Sequence, residues 1–168
     1  TQICMRQTTL ASSHIQVISN HGFAEISQNN QTNQKSLHAT IPFKKGDVLR
    51  SFSGGELCTV PNYLTVQTGI DQHITLVPEF LQYINHSCDP NVFFDTTSMQ
   101  VMALKDIDVS DEFTFFYPST EWDMAQPFIC YCGSKACLQN IKGAKYLTNQ
   151  QVKKYALTDF IKQELQKH

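Results

Sequence analysis

The stretch Asn85-His86-Ser87-Cys88-Asp89-Pro90-Asn91 decides the fold, because a second cysteine group, Cys130-x-Cys132 followed by Cys137, complements it later in the chain. Structural zinc ions in proteins bind four thiolate or imidazole ligands in a tetrahedron. Three close cysteines and a fourth from a distant loop are typical of such an ion, which then joins two segments of the chain. The pattern therefore predicts a structural zinc site.

Spacing alone leaves the fourth zinc ligand open. Cys88 is the favoured candidate, and Cys58, Cys4 or a histidine are the alternatives. Gly133 directly follows Cys132 and favours a metal, since a loop that wraps back toward an ion often needs the backbone freedom of glycine. Outside the site, Cys4 and Cys58 are interpreted as small buried hydrophobic side chains.

The neighbouring His86 and Cys88 also raise the hypothesis of a cysteine nucleophile with a histidine base. Residues two apart need a particular turn before their side chains meet, and the zinc site uses the same thiol. We therefore favour the metal site over this chemistry.

The composition bounds the class of the protein. A chain of 168 residues with 41% hydrophobic and 17% charged residues suits one globular domain with a tail. The formal net charge is −2, and Lys and Arg are scattered rather than clustered. Nucleic-acid-binding proteins usually carry a basic patch, so we expect no direct contact with DNA or RNA.

Hydropathy and cysteine use indicate the cellular setting. The sequence contains no apolar run of the roughly 18 residues that a membrane-spanning helix needs, and its N-terminus lacks the order of a secretory signal. The close cysteine group favours metal over disulfides, and hence a reducing compartment. We expect an intracellular protein, cytoplasmic or nuclear, that is monomeric and does not contact a membrane.

Short apolar stretches rich in β-branched and aromatic residues predict a mostly β protein as far as residue 117. The predicted strands are residues 15–18, 37–41, 48–52, 73–77, 92–94, 99–104 and 112–117. Short polar side chains predict a hairpin turn over residues 95–98. The polar stretch between Ser27 and Lys35 predicts an exposed loop.

Helix is predicted mainly at the C-terminus. Pro78 favours one or two helical turns over residues 79–84. Thr148 with Gln151 three residues later forms a capping-box pattern, and apolar residues then recur near helical spacing as far as Leu165. The sequence thus predicts one amphipathic C-terminal helix that packs on the core.

Three blocks resemble, in family order, the SET-domain family of S-adenosylmethionine-dependent lysine methyltransferases. Residues 85–91 are similar to the Asn-His-Ser-Cys-x-Pro-Asn block, and residues 111–117 to the acidic-Glu-Leu-Thr-Phe-Asp-Tyr block. Residues 128–143 resemble the post-SET zinc module, whose fourth ligand in the family is the cysteine that Cys88 matches. With the upstream strands included, the resemblance covers roughly residues 20–143.

The sequence departs from the family pattern at three places. The family's Gly-x-Gly, which lets the backbone approach the methionine end of the cofactor, aligns with Gln34-Lys35-Ser36. Gln82 stands where many members carry arginine. Phe116 replaces a usual aspartate or asparagine beside the tyrosine.

The resemblance implies a mostly β, β-clip-like SET fold of small sheets with a C-terminal pseudoknot, a post-SET zinc loop and a C-terminal α-helix. It divides the chain into a SET domain (residues 14–120), a post-SET zinc-binding segment (121–143) and a C-terminal helical extension (144–168). Cofactor and substrate would enter from opposite faces and meet in a narrow channel.

The resemblance also implies site residues. Cofactor binding is expected from Ser36, Leu37, Asn85, His86, Tyr117, Phe128 and Leu138, and zinc binding from Cys88, Cys130, Cys132 and Cys137. Tyr117 would orient the methyl group and the attacking amine. Phe115 occupies the position at which the family alternates between phenylalanine and tyrosine. A phenyl ring leaves room around the amine, so Phe115 predicts transfer of more than one methyl group.

The leading functional hypothesis is an S-adenosylmethionine-dependent N-methyltransferase that acts on a lysine side-chain amine of a protein or peptide. A small-molecule amine methyltransferase, or a related cofactor-dependent enzyme of specialised metabolism, is the first alternative, because the chain is small and mildly acidic. A non-catalytic cofactor-binding SET protein is the second, because the glycines are missing. The substrate groove is expected within residues 58–76, where the resemblance is weakest.

Overall fold

Small β-sheets form most of the regular secondary structure, as the sequence predicted. The structure is a computed structural model that describes residues 14–168, so the interpretation of Cys4 lies outside the described residues. The strands are β1 (Ile15–Asn20), β2 (Ala24–Asn29), β3 (Lys35–Ala39), β4 (Val48–Ser51), β5 (Ser53–Cys58), β6 (Val66–Gly69), β7 (Gln72–Val77), β8 (Asn85–His86), β9 (Val92–Asp95), β10 (Gln100–Ala103), β11 (Thr114–Phe115), β12 (Phe128–Ile129) and β13 (Asn140–Ile141).

Three antiparallel three-stranded sheets surround one hydrophobic core, in the orders β1-β2-β3, β4-β10-β9 and β5-β7-β6. Each sheet contributes buried side chains to this core, for example Leu37, Phe94 and Leu76. Burying a side chain of this size stabilises the fold by about 1.5–3 kcal/mol relative to leaving it in water. The sheets therefore hold one another in place and provide a rigid base for the loops between them.

The parallel pair of β8 and β11 joins the two sequence blocks that the resemblance singled out. The side chain of Asn91 fixes this junction, because its Nδ2 donates to the Glu112 carbonyl at 2.8 Å and its Oδ1 accepts from the Thr114 amide at 2.8 Å. Tyr117 then begins a short 3₁₀ turn, Tyr117–Ser119, which ends the strand earlier than predicted. The junction thus places Asn85, His86 and Tyr117 side by side.

Of the two polar segments predicted to lie between strands, one forms the predicted turn and the other is a shorter loop than predicted. Residues 95–98 form the expected turn between β9 and β10, where the Asp95 carboxylate accepts from the Thr97 amide at 3.0 Å and the Ser98 hydroxyl at 2.7 Å. The loop predicted between Ser27 and Lys35 is shorter, because β2 continues to Asn29. Strand β2 pairs with a neighbour on each side, and these backbone bonds sustain polar residues that have no strand preference of their own.

The helices are few and short. The predicted turns after Pro78 form a 3₁₀ helix, Glu79–Tyr83, and another 3₁₀ turn spans Ala144–Tyr146. The capping box is confirmed: the Thr148 hydroxyl accepts from the Gln151 amide at 3.2 Å, and the Gln151 side chain accepts from the Thr148 amide at 2.8 Å. None of the helices among residues 14–168 has the length and apolar character to cross a membrane.

The C-terminal segment forms two helices, α1 (Asn149–Lys154) and α2 (Asp159–Lys167), instead of the predicted single one. The break follows from tertiary contacts. Tyr155 and Leu157, two residues apart, are both buried, and residues with this spacing share one face only in extended chain. The Thr158 amide also donates to the Ser119 carbonyl at 3.0 Å, which holds the segment between the helices in place. Thr158 then caps α2 through its side chain. A second capping residue inside an apparently continuous pattern was the available sequence signal.

Gly143 is a position where only glycine fits. Its φ is +122°, and an added Cβ would collide with the backbone carbonyl of Trp122. We expect Gly143→Ala to lower the free energy of unfolding by about 3 kcal/mol, because strained backbone and steric contact both contribute. Urea denaturation measures this loss. Gly46→Ala is the control, since Gly46 has φ +91° but open space around it, and about 1 kcal/mol is expected there. Equal losses at both positions would contradict the steric argument.

Candidate active site

Four cysteines that are distant in sequence converge at one end of the molecule. The sulfur atoms of Cys88, Cys130, Cys132 and Cys137 all lie within 4.8 Å of one another. Sulfurs around a tetrahedral zinc with bonds of about 2.3 Å are separated by about 3.8 Å, so the cluster fits this ion closely. Burial raises the pKa of the Cys88 thiol and brings that of Cys130 to about 11. A bound cation would displace these protons and stabilise the thiolates.

His86 connects the cysteine cluster to Tyr117. Its Nδ1 accepts from the Tyr117 backbone amide at 3.1 Å, and its Nε2 lies 3.4 Å from the Cys88 sulfur. Burial lowers the pKa of His86 to about 4, so the ring is neutral at physiological pH. Because Nδ1 accepts, the single proton sits on Nε2 and is directed at the sulfur. His86 thus supports a metal ligand on one side and orients Tyr117 on the other.

The same contact bears on the alternative of a cysteine nucleophile. His86 and Cys88 do meet, contrary to the expectation from their spacing. However, Cys88 is buried and its pKa is raised, whereas a nucleophilic thiol needs a lowered pKa. The geometry therefore fits a metal site and does not fit thiol catalysis.

A cleft of about 1030 Å³ opens beside this junction, with Lys35, Asn85, His86, Tyr117 and Phe128 among its lining residues. The Asn85 side-chain amide donates to the Lys35 carbonyl at 2.9 Å, which ties β8 to the start of β3 across the cleft. The combination of aromatic rings, an amide and backbone polar groups is typical of sites for medium-sized organic ligands.

A second, much smaller cavity of about 90 Å³ lies on the other side of Tyr117. Phe115 and Glu121 line it, and Tyr63, Tyr117 and Phe128 line both this cavity and the large cleft. The two spaces therefore share a wall at Tyr117. The smaller one has room for about three water molecules or a short alkyl chain.

The aromatic side chains at this shared wall are held firmly. The ring centroids of Phe115 and Tyr117 are 4.7 Å apart, and Phe115 also packs edge-on against Phe94 at 4.8 Å. Burial, together with the charges of Glu112 and Glu121, raises the pKa of Tyr117 to about 12. The phenol therefore keeps its proton at physiological pH and can donate a hydrogen bond from a fixed position.

A SET-domain family model matches residues 16–118, which is more than half of the chain. The chain belongs to the SET-domain family. Methyltransferase flvH of Aspergillus flavus is 45% identical over 102 residues, which are 60% of this chain and 57% of that protein. A Candida albicans protein, histone-lysine N-methyltransferase, H3 lysine-36 specific, is 35% identical over 68 residues, 37% of this chain and 8% of that protein.

Among solved structures, the methyltransferase domain of human histone-lysine N-methyltransferase SETMAR has a TM-score of 0.49 and 17% sequence identity. The comparison covers 77% of this chain and 58% of that one. This chain spans only 57% of the length of the Aspergillus relative, so the activity of the whole protein is a matter for proposal.

The cofactor contacts expected from Ser36 and Leu37, at the start of β3, remain predictions. The side chain of Leu37 is fully buried in the core, and the Ser36 hydroxyl bonds His38 Nε2 at 2.9 Å. Neither residue lines the cleft, whereas Gln34 and Lys35 do. Strand alternation explains the placement of Leu37, because β3 must present one face to the core.

Leu138, also predicted to contact cofactor, lines a separate cavity of about 240 Å³. Its backbone amide donates to the Cys88 sulfur at 3.4 Å. Leu138 therefore supports the cysteine cluster directly, and its predicted contact with a cofactor remains a prediction.

Phe116 stands where the SET family usually has a polar residue, and the structure gives the reason. Its ring stacks on Tyr155 with the centroids 3.7 Å apart, and the Tyr155 hydroxyl donates to the Cys88 carbonyl at 2.8 Å. The C-terminal extension thus covers the tyrosine block and bonds to the cysteine loop at once. Sequence reasoning missed this link, because Tyr155 looked like an ordinary residue of a helix stripe.

Sequence reasoning also missed Glu121. Its carboxylate is largely buried, with the side chain 14% exposed, and burial raises its pKa to about 8. The signal that could have found it is an acidic residue four positions after Tyr117, between Thr120 and Trp122. Within the expected groove segment, Pro61, Asn62 and Thr65 line the small cavity, and the substrate groove there remains a prediction. Cys58, interpreted as buried, is only half-buried.

Proposed function

We propose that this SET protein is an S-adenosylmethionine-dependent N-methyltransferase that acts on a lysine side-chain amine. The observation that carries the proposal is the shared wall at Tyr117, which separates a cleft large enough for a nucleoside cofactor from a cavity of short-alkyl size. Membership of the SET family supports S-adenosylmethionine as the cofactor. Its methyl group is bonded to a sulfonium ion, which activates the group for transfer.

The residues of this chain would prepare the amine for transfer. An alkyl ammonium has a pKa of about 10.4 in water, and lowering that pKa to about 7 requires on the order of 4 to 5 kcal/mol. Desolvation by Phe115 and Phe128 would supply part of this, because a low-dielectric cavity disfavours the charged form. Tyr117, protonated and fixed, would align the amine nitrogen by positioning rather than by accepting its proton.

Asn85 and His86 line the cleft and would bind the cofactor there, and Phe128 lines the cleft with them. The four-cysteine cluster would bind a structural zinc ion, which fits the sulfur positions and carries no chemistry of its own. His86 Nε2–H would stabilise the Cys88 thiolate in that state.

A protein lysine is the favoured substrate. Among residues 14–168, strand β5 pairs on one side only and most of its residues are exposed, so it offers backbone groups to an extended peptide. The chain beyond β5 leads into Pro61, Asn62 and Tyr63, which line the small cavity. A small-molecule amine is the second candidate, because the cavity of about 90 Å³ suits a free alkyl amine equally well.

Labelled S-adenosylmethionine, offered with a peptide array, a cell lysate and a metabolite extract, tests these alternatives. Label on peptide lysines supports the favoured substrate, and label only in the metabolite extract supports the second. Absence of label together with absence of cofactor binding in calorimetry would contradict the proposal and favour a non-catalytic protein.

Phe115 is expected to permit more than one methyl transfer, because its phenyl ring offers no hydrogen bond to hold the methylated amine. Phe115→Tyr should restrict this, since the added hydroxyl takes up space in a cavity of about 90 Å³ and can bind the amine. Mass spectrometry of the product should show dimethylated or trimethylated amine with the wild type and mainly monomethylated amine with the variant. Strictly monomethylated product from the wild type would contradict the prediction.

A further inference from the structure

Glu121 places a carboxylate in the wall of the small cavity, next to Phe115 and Tyr117. Its Oε1 accepts from the Gln67 amide at 3.2 Å and from the Thr120 hydroxyl at 3.3 Å. Among residues 14–168, no hydrogen bond to Oε2 is found. The carboxylate is therefore fixed by one oxygen, and within the described residues the other has no hydrogen bond and keeps its capacity to accept one.

The surroundings of Glu121 supply no countercharge. In the described part of the chain, the one basic group within 4.0 Å of the carboxylate is His73, whose Nδ1 lies 3.8 Å from Oε2. This Nδ1 is itself buried without a hydrogen-bond partner. Burial lowers the pKa of His73, so the ring is neutral. His73 Nδ1, a buried atom without a hydrogen-bond partner, thus faces Glu121 Oε2 across a distance too long for a bond, as expected where a polar ligand is missing.

Amine methylation leaves one requirement that Tyr117 does not meet. The ammonium must lose a proton before its nitrogen can attack, and the Tyr117 phenol already holds its own proton firmly. Glu121 lies in the same cavity, and its raised pKa of about 8 makes it a stronger base than an ordinary carboxylate. At neutral pH it is ionised in a fraction of the molecules, and in that state it can both attract the cation and accept that proton. We propose that Glu121 is a further catalytic residue, which binds the substrate ammonium through Oε2 and takes its proton.

The proton transfer and the methyl transfer together conserve atoms and charge. One N–H bond of the ammonium breaks, its electron pair stays on nitrogen, and the proton forms an O–H bond at Oε2. The free pair then forms the N–C bond as the methyl group's bond to sulfur breaks and leaves its pair on sulfur. Glu121 returns its proton to water through the exposed part of its side chain, ready for the next turnover.

This inference rests on the proposed amine substrate, and ligand binding tests it apart from turnover. The probes are n-butylammonium and the uncharged 1-butanol, measured by calorimetry at about pH 9, above the Glu121 pKa of about 8 and below that of an alkyl amine. Wild-type protein should prefer the cation by about tenfold or more, the usual strength of a charged hydrogen bond.

Glu121→Gln should abolish the preference, since the amide keeps the bonds from Gln67 and Thr120 but has no charge. Asp123→Asn is the matched control. Asp123 lines the same cavity, but Lys145 and Tyr146 already bind its carboxylate, each at 3.1 Å. This variant should keep the preference for the cation.

Three results would overturn the inference: no cation preference in the wild type, an unchanged preference in Glu121→Gln, or an equal loss in Asp123→Asn. The wild-type measurement decides even where a variant fails to fold. Methyl transfer without any cation preference would refute this inference and leave the proposed function intact. Absence of S-adenosylmethionine binding with the preference present would refute the proposed function and the catalytic role, and leave only a cation-binding site at Glu121.

Discussion

Cys88→Ser is expected to weaken zinc binding by about 100-fold and S-adenosylmethionine binding by about tenfold. The metal loses one of its four ligands, and a serine hydroxyl is a poor substitute for a thiolate. The cofactor site is affected because His86 Nε2 contacts the Cys88 sulfur while His86 Nδ1 holds the Tyr117 amide. Metal content by mass spectrometry and cofactor affinity by calorimetry give the two values.

Cys58→Ser is the matched control for this experiment. Cys58 is a half-buried free cysteine at the end of β5 and lies outside the four-sulfur cluster. Both affinities should match those of the wild type in this variant. Metal loss in Cys88→Ser with an unchanged cofactor affinity would disprove the coupling through His86.

Tyr117→Phe is expected to lower the rate of methyl transfer by about 10² to 10³, with cofactor affinity changed by less than about threefold. The hydroxyl is a fixed donor at the wall shared by both cavities, whereas the ring packing against Phe115 and Phe128 persists in the variant. Single-turnover rates with labelled cofactor measure the first quantity, and calorimetry measures the second.

Tyr131→Phe is the control, because Tyr131 also lines the large cleft but is 89% exposed. An exposed hydroxyl already bonds to water, so its removal should leave the rate within about twofold. A rate loss in Tyr131→Phe comparable to that in Tyr117→Phe would show that the Tyr117 hydroxyl has no specific role in methyl transfer. A normal rate in Tyr117→Phe would also contradict the assignment.

Local patterns predicted much of the fold, since strand preference and side-chain alternation act over a few residues. The hairpin turn after β9 and the capping box at Thr148 are examples, because in each the interacting groups are near neighbours in sequence. The short pairs β8·β11 and β12·β13 lay beyond such reasoning. Two-residue strands have no pattern of their own and exist because distant segments are held together.

For the candidate site, too, the sequence predicted some features and not others. Membership of the SET family was predicted from the resemblance of three sequence blocks, and three cysteines of the cluster from their spacing. The fourth, Cys88, was favoured among several alternatives and assigned by the resemblance. The positions of Ser36, Leu37 and Leu138 relative to the cleft did not follow, since they depend on which side of each segment faces the core.

The sequence was therefore enough to predict the mostly β architecture and three candidate zinc ligands, because these depend on local preference and on spacing along the chain. The family and the fourth ligand, Cys88, came from the resemblance of whole sequence blocks. Only the tertiary structure decided what surrounds the reacting groups. It placed His86 between sulfur and tyrosine, stacked Phe116 on Tyr155, and buried Glu121 in the wall of the small cavity. Burial and partner distance set the charge of these groups, and both arise from segments far apart in sequence.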